Sequence, residues 1–207
     1  EKDNCVAVSA FPEDDRVLFT GDQGGNELNH LFVREVSGEV RDLTPGDGLR
    51  ALFGRWADDG GSFYVATNAR DASAFDVYRY DATSYAAELV FRNDGGFLPA
   101  GFDGHGRLAL LKAHSNSDSD LYVYDADSNE PEPRLLTPHE GDVEYGALSF
   151  TPDGGQLVVS TNEHGEFNEA WAIDLETGSR EPVVSADWDV QFVGFSRTGR
   201  YRYSAIN

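Results

Sequence analysis

The sequence predicts an all-β fold, a β-propeller built of four-stranded antiparallel blades. The first observation behind this is a phrase that returns along the chain. An Asp/Gly-rich turn followed by an alternating apolar strand reads PEDDRVLFT at Pro12–Thr20, ADDGGSFYVAT at Ala57–Thr67 and FDGHGRLALL at Phe102–Leu111. It reads TPDGGQLVVST at Thr151–Thr161 and SRTGRYRYSAI at Ser196–Ile206. Anchored on Asp14, Asp58, Asp103, Asp153 and Thr198, the steps are 44, 45, 50 and 45 residues. A fixed period of that size with strand patterning is a propeller signature. The second observation is that each period holds four runs rich in Val, Phe, Tyr and Thr, the residues that fit a pleated surface. The third is the absence of helical periodicity long enough for the crossovers of a parallel α/β sheet.

The elements follow in order. The first period offers strands at Val6–Phe11, Arg16–Thr20, Leu31–Val36 and Val40–Leu43. The second offers Arg50–Trp56, Ser62–Thr67, Phe75–Tyr80 and Ala87–Phe91. In the third they are Leu98–Phe102, Arg107–Lys112, Asp120–Tyr124 and Arg134–Thr137. The fourth has Tyr145–Phe150, Gln156–Thr161, Glu169–Asp174 and Glu181–Ser185. Asp81–Phe91 has helix formers and a plausible cap, but the repeat phase assigns its end to a fourth strand. Between strands, Asp58-Asp59-Gly60-Gly61, Asp103-Gly104-His105-Gly106 and Pro152-Asp153-Gly154-Gly155 supply the glycines of tight hairpins. Gly38 and Gly178 stand where the third-to-fourth turns need one. Phe11, Trp56, Phe102, Phe150 and Phe195 end successive first strands at one phase and are expected to pack between blades.

The organisation expected is one propeller domain over 1–207, with blades at approximately 1–45, 46–92, 93–138 and 139–186 and a half blade at 187–207. Because the last copy stops after its second strand, and because the chain has no Met and begins at Glu1, it is expected to be a fragment.

Composition narrows the function. Acidic residues number 37 against 16 basic ones, a formal charge of −21, and the only lysines are Lys2 and Lys112. Such a surface repels phosphate backbones and anionic lipid, so neither nucleic acid nor a membrane is expected as a partner. No run approaches the roughly 18 apolar residues of a bilayer span. No signal peptide is visible, and the compartment, cytoplasmic or periplasmic, is left open. The one cysteine, Cys5, cannot form an internal disulfide, and its apolar run Cys5–Ala10 suggests a buried strand residue.

Chemistry-bearing motifs are weak. Asn116, Asp118 and Asp120 alternate as in a calcium loop, but Leu121 and Asp127 occupy the positions that loop gives to Gly and Glu. Of His30, His105, His114, His139 and His164, no two have metal-ligand spacing. His114 and His164 follow second strands at equivalent places, as a propeller lyase with its own metal would require, but no third ligand is evident. Gly21–Gly25 lacks the Lys-Ser/Thr of a phosphate loop. The acid pairs Asp14-Asp15, Asp58-Asp59 and Glu130/Glu132 lie in turns and read as solvated. No catalytic, cofactor-binding or metal-binding residue is assigned, and no cofactor is expected.

Several stretches resemble one family. Gly24-Gly25-Asn26-Glu27 with His30-Leu31-Phe32, Trp56–Asn68 (WADDGGSFYVATN), Phe75–Asp81 (FDVYRYD), Leu136–Asp142 (LTPHEGD) and Ser149–Asn162 (SFTPDGGQLVVSTN) are similar, in the same order, to the propeller of prolyl oligopeptidase family serine peptidases. The likeness spans essentially the whole chain, whereas PDGGQLVVS alone is shared with TolB-type propellers. The resemblance implies a propeller seated on an α/β-hydrolase domain of the same polypeptide, which carries a Ser-Asp-His triad on a G-x-S-x-G elbow. It also implies peptide substrates whose entry the propeller restricts. No elbow occurs here: Gly194-Phe195-Ser196-Arg197-Thr198-Gly199 has the wrong spacing and falls in a blade turn. No triad residue is therefore carried over. A stand-alone TolB-like scaffold that binds protein is the alternative.

Overall fold

The computed structural model describes residues 4–22, 24–129, 131–196 and 198–207. Every regular element among them is a β-strand. The chain forms two compact units, Glu1–Gly96 and Phe97–Asn207.

The first unit holds two sheets. β1 (Cys5–Ala10), β2 (Val17–Gly21), β3 (His30–Arg34) and β4 (Val40–Asp42) pair in sequence order. So do β5 (Ala51–Trp56), β6 (Ser62–Asp71), β7 (Ala74–Asp81) and β8 (Ala87–Phe91). All pairings are antiparallel. The second unit repeats the pattern with β9 (Leu98–Phe102), β10 (Arg107–Ala113), β11 (Ser119–Asp125) and β12 (Arg134–Leu135). Its next sheet is β13 (Tyr145–Phe150), β14 (Gln156–Thr161), β15 (Glu169–Asp174) and β16 (Arg180–Val184). β17 (Val190–Phe195) and β18 (Arg202–Ile206) form a two-stranded sheet. This is the meander of propeller blades that the repeat predicts, and Asp81–Phe91 ends in a strand as the phase requires.

Side-chain alternation decides what each sheet buries. On β14, Leu157 and Val159 face a core shared with Ala109, Leu121 and Val123 of the preceding sheet. Val158 turns the other way and packs with Val190 and Val193 of β17. In the first unit, Phe63 and Val65 of β6 join Phe11, Leu18, Leu31 and Val33 of the first sheet. Four of the aromatic residues closing the first strands, Phe11, Trp56, Phe150 and Phe195, sit in these seams. Phe11 and Phe150 are buried, and Trp56, Phe102 and Phe195 are half-buried. Trp56 meets Phe11 edge-on at 4.9 Å and donates its indole N–H to Ser9 Oγ at 2.8 Å.

Glycine does what the turns need. Gly38 (φ 89°) and Gly178 (φ 72°) occupy the left-handed region at the β3–β4 and β15–β16 turns.

Two expectations need correcting. Cys5 lies in a strand as read, but it is exposed. β1 pairs only with β2, and Cys5 through Val8 are all exposed. Apolar composition therefore did not translate into burial over this part of the strand. The fourth strands of the first and third sheets are also shorter than read. Leu43 and Leu136 still donate backbone bonds to Leu31 O and Leu121 O. Beyond them the hydroxyls of Thr44 and Thr137 accept the amides of Leu31 and Leu121 at 2.9 and 2.8 Å, replacing the next rung of the ladder.

Candidate functional site

Three chain segments of the second unit bring titratable groups together. His114 directly follows β10, Asp118 lies in the loop into β11 and Asp120 near the start of β11, and Thr137–His139 belong to the connection from β12 to β13. The β10–β11 hairpin and this connection emerge from the same end of the sheet. That places the acid side of the former in front of the latter.

His139 is the centre of the contacts. Its Nδ1 lies 2.8 Å from the carbonyl oxygen of Thr137, and its Nε2 lies 3.0 Å from Asp118 Oδ1. Asp120 Oδ1 is 3.5 Å from Nδ1, and Asp120 Oδ2 is 2.9 Å from Nε2 of His114. Asp120 also accepts the Thr137 hydroxyl at 3.3 Å. The His139 side chain is only 7% exposed, while that of His114 is 40% exposed. The His139 imidazole is held above its ordinary pKa. The bond to the Thr137 carbonyl contributes most, and together with Asp118 and Asp120 it outweighs the opposing effect of burial. A recess of about 380 Å³ opens beside His114, Asp118, Asp120 and His139.

Behind this cluster the Tyr145 ring lies 5.5 Å from the His139 ring. The Tyr145 hydroxyl donates to Glu163 Oε2 at 2.5 Å and accepts from Arg180 Nη1 at 2.9 Å. Burial, reinforced by the bond to Glu163, pushes its pKa up to about 12. Two imidazoles and two carboxylates beside an open recess can hold and exchange protons.

A second depression of about 560 Å³ is lined by Arg107, Asp125, Glu132, Arg134, Asp174 and Glu176. Its arginines are engaged in structure. Arg107 Nη1 donates to Gly154 O at 2.6 Å, and Arg134 Nη2 to Leu175 O at 2.5 Å. Each reaches from the third sheet to a turn of the fourth. In the first unit Arg16 makes the same kind of link, donating to Ala82 O at 2.8 Å and to the Tyr85 hydroxyl at 2.7 Å.

The other motif residues are dispersed. Asp118 and Asp120 turn to histidines and do not form a calcium loop with Asn116. Among the described residues no three His, Cys, Asp or Glu side chains are grouped to hold a metal ion. The His164 ring lies 4.1 Å from that of Trp171, tilted by 43°, apart from the His114 contacts described above. His30 pairs with Asp42 at 2.8 Å. Asp14 pairs with Arg16 at 2.8 Å, Asp58 with Arg55 at 3.0 Å, and Asp59 accepts the Gly61 amide. Gly24 and Gly25 are left-handed turn residues. Ser196 lies in the β17–β18 turn and accepts the Tyr201 amide at 3.0 Å. Gln23, Glu130 and Arg197, named among the motifs, and Lys2 lie outside the described residues.

The His139 cluster was missed in the sequence. The signal was present as LTPHEGD opposite SDSD, but only the hairpin geometry shows that His139 lies between two aspartates.

No family model matches the chain. In sequence it is 28% identical over 174 residues to Dipeptidyl aminopeptidase BIII of Pseudoxanthomonas mexicana. That match covers 82% of this chain but only 25% of the relative. Among solved structures, a prolyl endopeptidase described for its inter-domain dynamics in catalysis and specificity superposes over 93% of this chain and 31% of its own, with TM-score 0.69 and 17% identity. TolB from Acinetobacter baumannii superposes over 83% of this chain and 41% of its own, with TM-score 0.55 and 22% identity. Dipeptidyl peptidase 4 of Porphyromonas gingivalis has TM-score 0.59 at 15% identity, over 92% of this chain and 34% of its own.

Proposed function

We propose that this β-propeller belongs to a prolyl oligopeptidase family serine peptidase, which it serves as a non-catalytic domain, working with an α/β-hydrolase domain of the same polypeptide and restricting entry to peptides. The observation that carries this reading is the sequence relation to Dipeptidyl aminopeptidase BIII over most of the chain. Hydrolysis would then proceed by acyl transfer from the peptide to a serine, with a histidine moving the proton to the leaving amine, and from the serine to water, on residues supplied by the partner domain. The propeller's contribution is steric and electrostatic. Its −21 charge repels acidic polymers.

The test uses the whole polypeptide in which this segment occurs. A fluorophosphonate probe labels one serine outside residues 1–207, and the protein cleaves short peptides but not folded or long unfolded proteins. Disulfides engineered to lock neighbouring blades lower turnover of the longest accepted peptides first. An absence of labelling and of peptidase activity would sink the reading.

The superposition on TolB favours a second one, a scaffold that binds other proteins. Its distinguishing result is an unlabelled polypeptide that retains a protein partner through affinity purification.

A further inference from the structure

We propose that His139 is a proton-operated latch that fastens the connection between the third and fourth sheets, residues 136–142, to the β10–β11 loop. The argument begins with donor supply. A neutral imidazole has one N–H, and its other nitrogen is an acceptor. Both His139 nitrogens face oxygens: the Thr137 carbonyl at 2.8 Å and the Asp118 carboxylate at 3.0 Å. A carbonyl and an ionised carboxylate only accept, so only the imidazolium serves both. With the side chain 7% exposed, water does not readily take the place of either partner.

The surroundings favour the cation. Facing the ring are Asp118 from the β10–β11 loop and Asp120 from β11, with His114 on the far side of Asp120. From β13 comes Tyr145, whose hydroxyl binds Glu163 and Arg180. Glu140 and Asp142 flank His139 in its own segment. Carboxylates thus outnumber the one guanidinium, which is itself engaged by Glu163.

The consequence is directional. Fastening is complete below the pKa of the open form, near the ordinary histidine value of about 6.5. It is lost as pH rises through the higher value of the closed form. Loss of the proton leaves one oxygen without its donor, and the connection is released from the β10–β11 loop. The latch is independent of any partner domain.

The experiment follows His139 ring nitrogen shifts in the polypeptide that carries residues 1–207 from about pH 5 to about pH 9. Backbone amide exchange, corrected for intrinsic rates, is measured alongside. His139 is expected to titrate above the ordinary value. Exchange in residues 114–120 and 136–142 should accelerate with its deprotonation, on the order of tenfold for each unit by which closed and open values differ. Asp118→Asn lowers the midpoint and carries the exchange transition with it. His139→Gln abolishes the transition, while His114→Gln keeps it. A His139 already neutral at about pH 6, or exchange that ignores its midpoint, overturns the latch. So does a transition that survives His139→Gln and vanishes with His114→Gln. Should a variant fail to fold, the wild-type titration and exchange decide alone.

Discussion

At the scale of single residues, two buried aspartates are treated oppositely by their surroundings. Asp76 of β7 is fully buried and accepts Arg70 Nε at 2.6 Å, Arg70 Nη2 at 2.8 Å and the Asn93 amide at 2.8 Å. Burial alone would raise its pKa, but the Arg70 bonds, the Asn93 amide and the guanidinium charge together hold it low. A depressed carboxylate contributes stability that is present above its unfolded pKa and is lost as pH falls through the folded value. Asp76→Ala should therefore cost about 3 kcal/mol at neutral pH in urea unfolding, with a much smaller difference from wild type in strong acid. Asp103 is the reverse case. It is 2% exposed, accepts the amides of His105 and Arg107 at Oδ1, and among the described residues has no hydrogen-bond partner at Oδ2. Desolvation raises its pKa. A raised acid is no burden below its unfolded value, and its burden grows as pH climbs to the folded one. Asp103→Asn keeps an acceptor for the two amides and removes the charge. It should be at least as stable as wild type at neutral pH and lose ground to it in acid. A variant less stable at neutral pH than at pH 4, relative to wild type, would contradict this. Neither role was legible in the sequence. Asp76 reads as one polar residue of FDVYRYD, and its partner Arg70 sits on a part of β6 that extends past the alternating pattern.

At the scale of elements, the period made most strands legible, because turn chemistry and alternation agree at every repeat. Five runs match to the residue: Ala87–Phe91, Leu98–Phe102, Tyr145–Phe150, Gln156–Thr161 and Glu169–Asp174. What alternation could not show is a register shift in the first strand of every sheet, at Ala7/Ser9, Phe53/Trp56, Gly101/Pro99, Ala147/Ser149 and Val190/Phe192. Such shifts raise local twist, and a bulged residue reads like any other residue in the string. Nor could alternation show that Thr44 and Thr137 end their strands by substituting hydroxyls for backbone carbonyls. Thr137 is fully buried and accepts the Leu121 amide at 2.8 Å. Thr137→Val keeps the shape but leaves that amide without its acceptor, an expected cost of about 1–3 kcal/mol. Thr137→Ser restores the acceptor and should recover most of it. Equal losses for Val and Ser in chemical denaturation would show that packing of the methyl group, and not the hydroxyl, holds the strand end.

At the scale of the whole molecule, charge is the feature that no single contact explains. The formal charge is −21 at pH 7, and the sequence pI is about 4.3. Repulsion among unpaired carboxylates disfavours the compact state. Salt acts on two opposing terms. It screens that repulsion, since the Debye length falls from about 10 Å at about 0.1 M to about 3 Å at about 1 M. It also weakens exposed ion pairs such as Arg55–Asp58, Arg79–Glu88 and Arg92–Asp94. Such exposed pairs contribute little each, about 0–1 kcal/mol. With 37 acidic residues against 16 basic ones, most carboxylates have no cationic partner available, so relief of repulsion wins. The urea midpoint at pH 7 should rise when NaCl is raised from about 0.1 M to about 1 M. Near the pI the net charge vanishes, and the same addition should then give little or no gain. A gain of equal size at both pH values would mean that salt acts by exclusion from the protein surface and not by screening, and the charge argument would fail.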